Sequence, residues 1–446
     1  MEKTDTKVGL DYARGSIPSL FCKVFFPTLL GMIFNALLTI IDGIFVGRGV
    51  GPDGIAAVNI IAPVFMVTTG VGLMFGIGSA VTAGIALASD NRPKANAIIT
   101  SAFMVATLII AILVGLCALF PDGTARLLGS SDALLWHARG YLAYLLLGIV
   151  PLMWQSIGMM VIRLDGSPKY AMMCNILPAL LNIVLDWWFV FPLGMGVRGA
   201  ALATSLACIV GGVMAVTYFR FSYVLKFTRH LAGFTRLIAN QVAVGAAAFI
   251  TEIAMSVMMF TGNVVFMRSF GEAGVAAFSI ACYLFPLIFM INNAVAQSAQ
   301  PIISVNYGAG NPDRVRRALR VSIIVASICG LAATLGISLG TRWIVGMFIS
   351  PESQAARIAV AGLPIFATTG IVFALNIAFI GFYQSIEKSL AALVLTLLRG
   401  VVILVPLFLL LPRLFPQWGM WAAIPASEAI TLLIILTTFR SIAGKR

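Results

Sequence analysis

The sequence predicts an all-α integral membrane protein with twelve transmembrane helices in two six-helix lobes, related by a pseudo-two-fold axis along the membrane normal. Three observations carry that prediction. The 446 residues are 60% hydrophobic and 10% charged, far below the roughly 25% charged residues of soluble domains, so a soluble fold is excluded. Apolar runs of about 20 residues, the length that crosses a bilayer, recur along the whole chain. The excess of base, 29 Lys and Arg against 16 Asp and Glu for a formal charge of +13, sorts by loop instead of gathering on one face.

The runs follow in order. The first, 20–47, contains Pro27, Asn35 and Asp42 and stops at Gly47-Arg48-Gly49-Val50-Gly51, a loop with no strand before it and no Walker Lys-Ser/Thr after it. The second, 54–88, carries Pro63 and Met66, with Gly72 and Gly76 at the GxxxG spacing of close helix packing. The third, 95–120, has no charge, and the fourth, 133–162, contains Pro151. The fifth, 168–191, holds Pro178, Asn182 and Asp186; the sixth, 197–219, opens on Gly199-Ala200-Ala201 and reaches Thr204. In the second half, 237–267 contains Glu252 and Asn263, and 274–307 contains Pro286, Asn292, Gln297 and Pro301. Run 315–341 follows a cluster of arginines, and 355–384 contains Pro364 and no acid. Run 388–411 holds Arg399 and Pro406, and 418–439 holds Pro425 and Glu428. Several runs exceed the bilayer's needs, which predicts tilt or kinks, and the internal prolines remove amide donors where carbonyls can line a cavity.

The bases fix the orientation. With the N-terminus inside, the inner segments collect nineteen bases, among them Arg92, Lys94, Arg163, Lys169, Arg220, Lys226, Arg229 and Arg236. The outer segments hold eight, among them Arg48, Arg126, Arg139, Arg198 and Arg268. By the positive-inside rule both termini are cytoplasmic. The tail 1–19 is polar and mixed in charge, so no cleavable signal peptide is expected. The polar connection 221–236 separates an N-lobe, 20–220, from a C-lobe, 237–441, followed by a short tail, 442–446. At an offset of 220, Arg48, Gly51, Gly54, Ala57 and Phe65 meet Arg268, Gly271, Gly274, Ala277 and Phe285. Six helices per repeat keep both halves in one orientation.

Composition excludes several function classes. The two histidines, His137 and His230, lie in or beside polar connections, which leaves little material for a His metal site or an intramembrane His catalyst, so no enzyme is expected. The six cysteines stand singly in apolar runs and read as buried hydrophobes rather than disulfides or ligands. No aromatic-interleaved basic face suggests nucleic acid, and no nucleotide motif appears, so any transport draws on a gradient or on an ATPase elsewhere.

Four acids lie at membrane depth, Asp42, Asp186, Glu252 and Glu428, where an ionisable group is costly and marks function unless it is a structural pair. Asn35 precedes Asp42 by two helical turns, and Asn182 precedes Asp186 by one, so each amide shares a face with its acid. With Thr204 they offer carboxylate, amide and hydroxyl oxygens, a set suited to a hard cation or to shared protons. Arg399 and Glu428 in neighbouring runs are expected to neutralise each other. Asn35, Met66, Glu252, Asn263, Asn292 and Gln297 are candidates to line a substrate cavity. The 19 methionines and 30 phenylalanines supply the adaptable apolar surface that bulky amphipathic cations favour.

These features resemble the bacterial multidrug and toxic compound extrusion family over nearly the whole chain. The residues that carry the resemblance are Pro27 with Asp42-Gly43-Ile44-Phe45-Val46-Gly47, Leu181 to Asp186 and Gly199 to Thr204; the second half adds Gln297 to Pro301 and Tyr307 to Asn311. The resemblance implies two lobes about a central cavity that rock between inward and outward openings, in the inner membrane of a bacterium. It implies export of drugs or organic cations in exchange for protons or sodium, with no other cofactor, by what is usually a monomer in contact with membrane lipid. It places Asp42, Asn182, Asp186 and Thr204 at the family's N-lobe cation site, which would hold the metal ion if sodium is the coupling ion. Pro27 falls where the first helix bends, and Glu252 matches the acid of the seventh helix. The absence of acid in 355–384 departs from some sodium-coupled members and shifts the expected coupling to the N-lobe. A flippase or exporter of lipid-linked precursors shares the architecture; its anionic cargo calls for intramembrane bases, whereas four acids at membrane depth stand against the bases Lys23 and Arg399.

Overall fold

The computed structural model describes residues 10–50, 52–130, 132, 134–222, 224–229, 231 and 233–443. Residues 1–9 of the expected N-terminal tail, His230 and residues 444–446 lie outside them. The described residues form α1 (Ile17–Gly49), α2 (Pro52–Ala88), α3 (Arg92–Leu119), α4 (Pro121–Leu127), α5 (Leu135–Leu164), α6 (Pro168–Val190) and α7 (Gly196–Phe221). These are followed by α8 (Phe234–Gly308), α9 (Pro312–Phe348), α10 (Gln354–Ala367), α11 (Thr369–Ser385) and α12 (Ser389–Leu397). A π-turn (Leu398–Val402), α13 (Leu404–Leu414) and α14 (Gly419–Ala443) complete the chain. Eleven of the helical stretches are long and apolar enough to cross a membrane. One of these, α8, is 75 residues long and broken at Gly271, where φ is 64° and ψ is −151°. That left-handed turn folds α8 back on itself, so that Phe266 and Phe278 stack at 4.6 Å. The stretch therefore supplies two crossings, and the all-α, twelve-span expectation holds.

Helix ends follow their residues. Asn91 caps α3 by accepting from the Lys94 amide at 3.1 Å, with Pro93 in the first turn, where no amide donor is needed. Ser353 does the same for α10 through the Ala356 amide. The short α4 was not expected from the sequence; its Pro121 start and first-turn Asp122 are the signals that mark it.

The chain divides into two compact units, one of residues 1–249 with 304–312, the other of 250–303 with 313–446. The division falls inside α8 rather than at the 221–236 connection, because both ends of α8 lie against α2. An ideal Cβ on Gly245 would sit 1.8 Å from the Met74 carbonyl oxygen, and one on Gly78 would sit 2.1 Å from that of Gln241. Backbones this close are the means by which membrane helices gain van der Waals contact where lipid offers no hydrophobic drive. Gln241 reinforces the seam, its Nε2 donating to Ser101 Oγ at 2.9 Å and to the Ile98 carbonyl at 3.1 Å.

Within the first unit α5 packs against α2 and α7. Gly72 faces the Ser156 side chain and Gly76 the Met160 side chain and Ser156 carbonyl, so the GxxxG pair serves packing. Gly212 of α7 meets the Pro151 carbonyl, 2.3 Å from where a Cβ would lie. At the base-rich end, Asp165 Oδ2 accepts from Tyr218 at 2.5 Å and Ser222 at 2.7 Å. Burial pushes the Asp165 carboxyl above the usual range, and these hydroxyls hold it back. Tyr12 donates to the Arg163 carbonyl, and its own carbonyl accepts from Asn306 Nδ2 at 2.9 Å, fastening the segment before α1.

In the second unit, run 355–384 is two helices, α10 and α11, that part at Thr368; Thr334 Oγ1 donates to the Ala367 carbonyl at 2.8 Å, replacing a lost helix bond. Run 388–411 is also interrupted. Pro406 cannot donate to the Val402 carbonyl four residues earlier, and the π-turn ends at that same Val402. Large apolar side chains such as Leu108, Leu339 and Trp343 stay exposed, as a lipid-facing surface requires.

The seam glycines predict a contrast in stability. Gly212→Val should cost about 1–3 kcal/mol by overpacking, whereas Gly115→Ala, with nothing within 4 Å, should be neutral or slightly stabilising. Thermal unfolding of both purified variants in detergent checks this.

Candidate functional site

The first unit brings together Asp42 of α1, Asn182 and Asp186 of α6 and Thr204 of α7. α6 places Asn182 and Asp186 one turn apart on its buried face, at 1% and 0% exposure. Asn182 Nδ2 donates to Thr204 Oγ1 at 3.4 Å. The Asp42 and Asp186 carboxyls lie within hydrogen-bonding reach of each other. Among the described residues no donor reaches either Asp186 oxygen or Asp42 Oδ1, although all three are buried. Two ionised carboxylates cannot bond each other, since neither donates; a single proton or a hard cation between them would satisfy both.

Tyr141 of α5 is close enough to Asp42 and Asp186 to interact with both electrostatically. Sequence reasoning missed it, although a phenol deep in run 133–162 was a visible signal. Among the described residues no three or more His, Cys, Asp and Glu side chains cluster. An ion held here would complete its shell with amide, hydroxyl or water oxygens.

The second unit holds a different centre. Arg399 Nη1 donates to Glu428 Oε1 at 2.8 Å, with both side chains about 5% exposed. Asn376 Nδ2 donates to Glu428 Oε2 at 2.7 Å and to its carbonyl at 2.9 Å. The guanidinium lies 4.6 Å from the centre of the Phe373 ring, a stacking geometry that suits Arg. Ser427 Oγ donates to the Arg399 carbonyl at 2.7 Å, satisfying a backbone group inside the π-turn. Beside the pair is a cavity of about 20 Å³ bordered by Thr251, Met255, Met258 and Phe289, room for one water. Asn376 and Phe373 were not singled out from the sequence; an amide in the middle of run 355–384 was the available signal.

The remaining candidates are dispersed. Asn35 and Met66 belong to the first unit and are exposed, Met66 at 38%. Glu252, Asn263, Asn292 and Gln297 belong to the second. Glu252 is half-buried and Asn263 exposed, while Gln297 is buried. Asn292 is buried and donates back to the Ile288 carbonyl at 2.9 Å. Pro27 sits inside α1, fifteen residues before Asp42.

With this geometry in view, the comparison with known proteins is direct: residues 27–188 and 247–410 match the MatE family. The chain belongs to the MatE family. The two matched stretches put one MatE repeat in each half of the chain, as its 220-residue offset suggested. Multidrug export protein MepA of Staphylococcus saprophyticus is 24% identical over 419 residues, covering 93% of this chain and 91% of that protein. The protein of that name from Staphylococcus aureus strain MRSA252 is 23% identical with the same coverage. Among solved structures, a MOP superfamily transporter from Pyrococcus furiosus, described as having a binding pocket of reversed polarity, superposes with a TM-score of 0.91 at 24% identity, covering 99% of both chains. A multidrug resistance MATE family transporter in its outward-facing conformation superposes with a TM-score of 0.90 at 24% identity and the same coverage. At these identities the likeness establishes the two-lobed, all-α MatE fold.

The buried pair of the second unit generates a clear expectation. Arg399→Met should lower stability by about 3–5 kcal/mol, because it leaves Glu428 buried and uncompensated. Adding Glu428→Gln should recover most of that loss. A double-mutant cycle on thermal unfolding measures both.

Proposed function

We propose that this MatE-family protein is a secondary active antiporter that exports amphipathic, mostly cationic compounds in exchange for protons or sodium. The observation that carries this reading is the Asp42 and Asp186 pair, two facing carboxyls with three buried oxygens that meet no donor among the described residues. Such a pair binds positive charge, and a proton, a sodium ion or a cationic drug competes for the same carboxylates. Competition for one site is sufficient for exchange: neutralisation by the ion from outside releases the drug, and loss of the ion to the cytoplasm restores the negative charge. Asn182 and Thr204 supply the neutral oxygens that a sodium ion needs, and their shared hydrogen bond orients the amide oxygen toward it.

The energetics are adequate. One charge moving down 100 mV releases about 2.3 kcal/mol, which sustains roughly a 50-fold concentration ratio at 1.4 kcal/mol per decade. Glu428 does not offer a second site of this kind, since Arg399 occupies its charge. The distribution of its bases supports cytoplasmic termini, and the MatE match and the Staphylococcus relatives support a multi-pass protein of the bacterial cytoplasmic membrane. The names of the Staphylococcus relatives support a multidrug cargo.

Efflux of a fluorescent lipophilic cation from proteoliposomes, driven by an imposed pH gradient or by an imposed sodium gradient, tests the proposal. Wild type should export under one gradient, and Asp42→Asn and Asp186→Asn should each lower the rate at least about tenfold while inserting normally. Undiminished export by either variant would refute the assignment. Inactivity under both gradients in folded protein would instead favour lipid-linked cargo.

A further inference from the structure

The base-rich end of the first unit carries a second concave surface, apart from the carboxylate pair. It is a groove of about 440 Å³ walled by Phe103, Met104 and Thr107 of α3, Trp154 of α5, Val216 of α7 and Phe227 of the segment after α7. Its polar atoms are already paired. Thr107 Oγ1 donates to the Phe103 carbonyl at 2.6 Å and accepts from Trp154 Nε1 at 2.8 Å. Thr100 Oγ1, at the basic end, donates to the Asn96 carbonyl at 2.8 Å and accepts from the Thr228 amide at 3.0 Å. A polar or charged guest would therefore find no partner on these walls, whereas hydrocarbon forfeits nothing.

Two further features select the guest. Toward the other end of α3, Met104, Leu108, Ile112 and Leu116 recur at a spacing of four and are 52–62% exposed, so the groove opens onto a lipid-facing stripe. From Thr100 to Thr107 it follows α3 for about 10 Å at 1.5 Å per residue. At its mouth are exposed bases: Lys226 beside the wall residue Phe227, Arg229 two residues on, Arg220 next to Phe219, and Lys94 in the first turn of α3. Phe219 packs on Phe227 at 5.0 Å, which brings the Arg220 end of α7 to the same place. Of the nearby acids, Asp90 lies 3.9 Å from Arg92, and Asp165 is buried beneath hydroxyls. Each exposed base near a membrane surface adds attraction for anionic lipid.

We propose that this groove holds one acyl chain of an anionic phospholipid, with the headgroup phosphate on Lys226 and Arg229. The guest would also brace the segment it touches. The Lys226 amide donates to Asn96 Oδ1 at 2.9 Å, so the segment is pinned to α3 by two side-chain bonds, and Phe227 closes over the groove between Phe103 and Phe219.

Native mass spectrometry of the delipidated full-length protein, titrated with phosphatidylglycerol and separately with phosphatidylcholine, tests this. One phosphatidylglycerol should be retained at least about tenfold more tightly than phosphatidylcholine. The double variant Lys226→Ala, Arg229→Ala should abolish that preference. Met104→Trp, at an exposed position on the wall, should fill the groove and remove the bound lipid; Phe227→Ala provides a second change to the wall that adds no bulk and should weaken retention. Equal retention of the two lipids, or indifference of phosphatidylglycerol to all of these variants, would overturn the proposal, as would its displacement by a lipophilic cation at equimolar concentration. The readout is lipid mass and not efflux, so it stands or falls separately from the antiport reading.

Discussion

A peptide bond in hydrocarbon has no water to turn to, and every other feature of this protein follows from that constraint. It makes the spans helical, so that each amide finds its carbonyl within its own segment. It sends hydroxyls such as Thr68, Thr82 and Ser298 back onto carbonyls of their own helices. Where a helix has to break, something must replace the lost bond. Thr334 does so at the junction of α10 and α11, and Ser427 caps the Arg399 carbonyl within the π-turn. A buried polar group that has not been paired in this way has a cost, and those groups are where chemistry should be sought.

By that criterion the two halves have diverged. The first unit keeps two carboxyls within hydrogen-bonding reach of each other. The second pairs Glu428 with a covalently tethered positive charge, Arg399, which also stacks on the Phe373 ring, while Asn376 donates to Glu428. A tethered cation cannot leave with a gradient. The two MatE repeats thus treat a carboxylate in a low dielectric differently, as a carboxyl pair in one and as an ion pair in the other.

Much of this was legible in the sequence because bilayer thickness imposes its own periodicity. Run lengths gave the crossings, and the scarcity of intramembrane acids drew attention to Asp42, Asp186, Glu252 and Glu428 before any geometry was known. What was hidden depended on tertiary proximity. No local signal says that Gly245 and Gly78 let α8 lie against α2, which moves the boundary between compact units into the middle of a helix. Asn376 and Tyr141 looked like isolated polar residues until α14 and the carboxyl pair were brought beside them. The π-turn was hidden because α and π windings share a composition and differ only in which carbonyl each amide chooses.

That choice sets the register of the helix. An α-helix turns by 100° per residue, so the one extra residue accommodated across Leu398–Val402 rotates the faces of α12 relative to those of α13 by about that angle. Arg399 stands within the inserted turn, and its direction therefore depends on how many residues the turn contains as well as on which residue it is. Loss of a single position there would let the winding close as a continuous α-helix and swing the guanidinium off Glu428 with Arg399, Glu428 and their other neighbours all unchanged in identity. The charge balance of the second unit is in this sense recorded as a length, a kind of information that comparing residue types at aligned positions does not register.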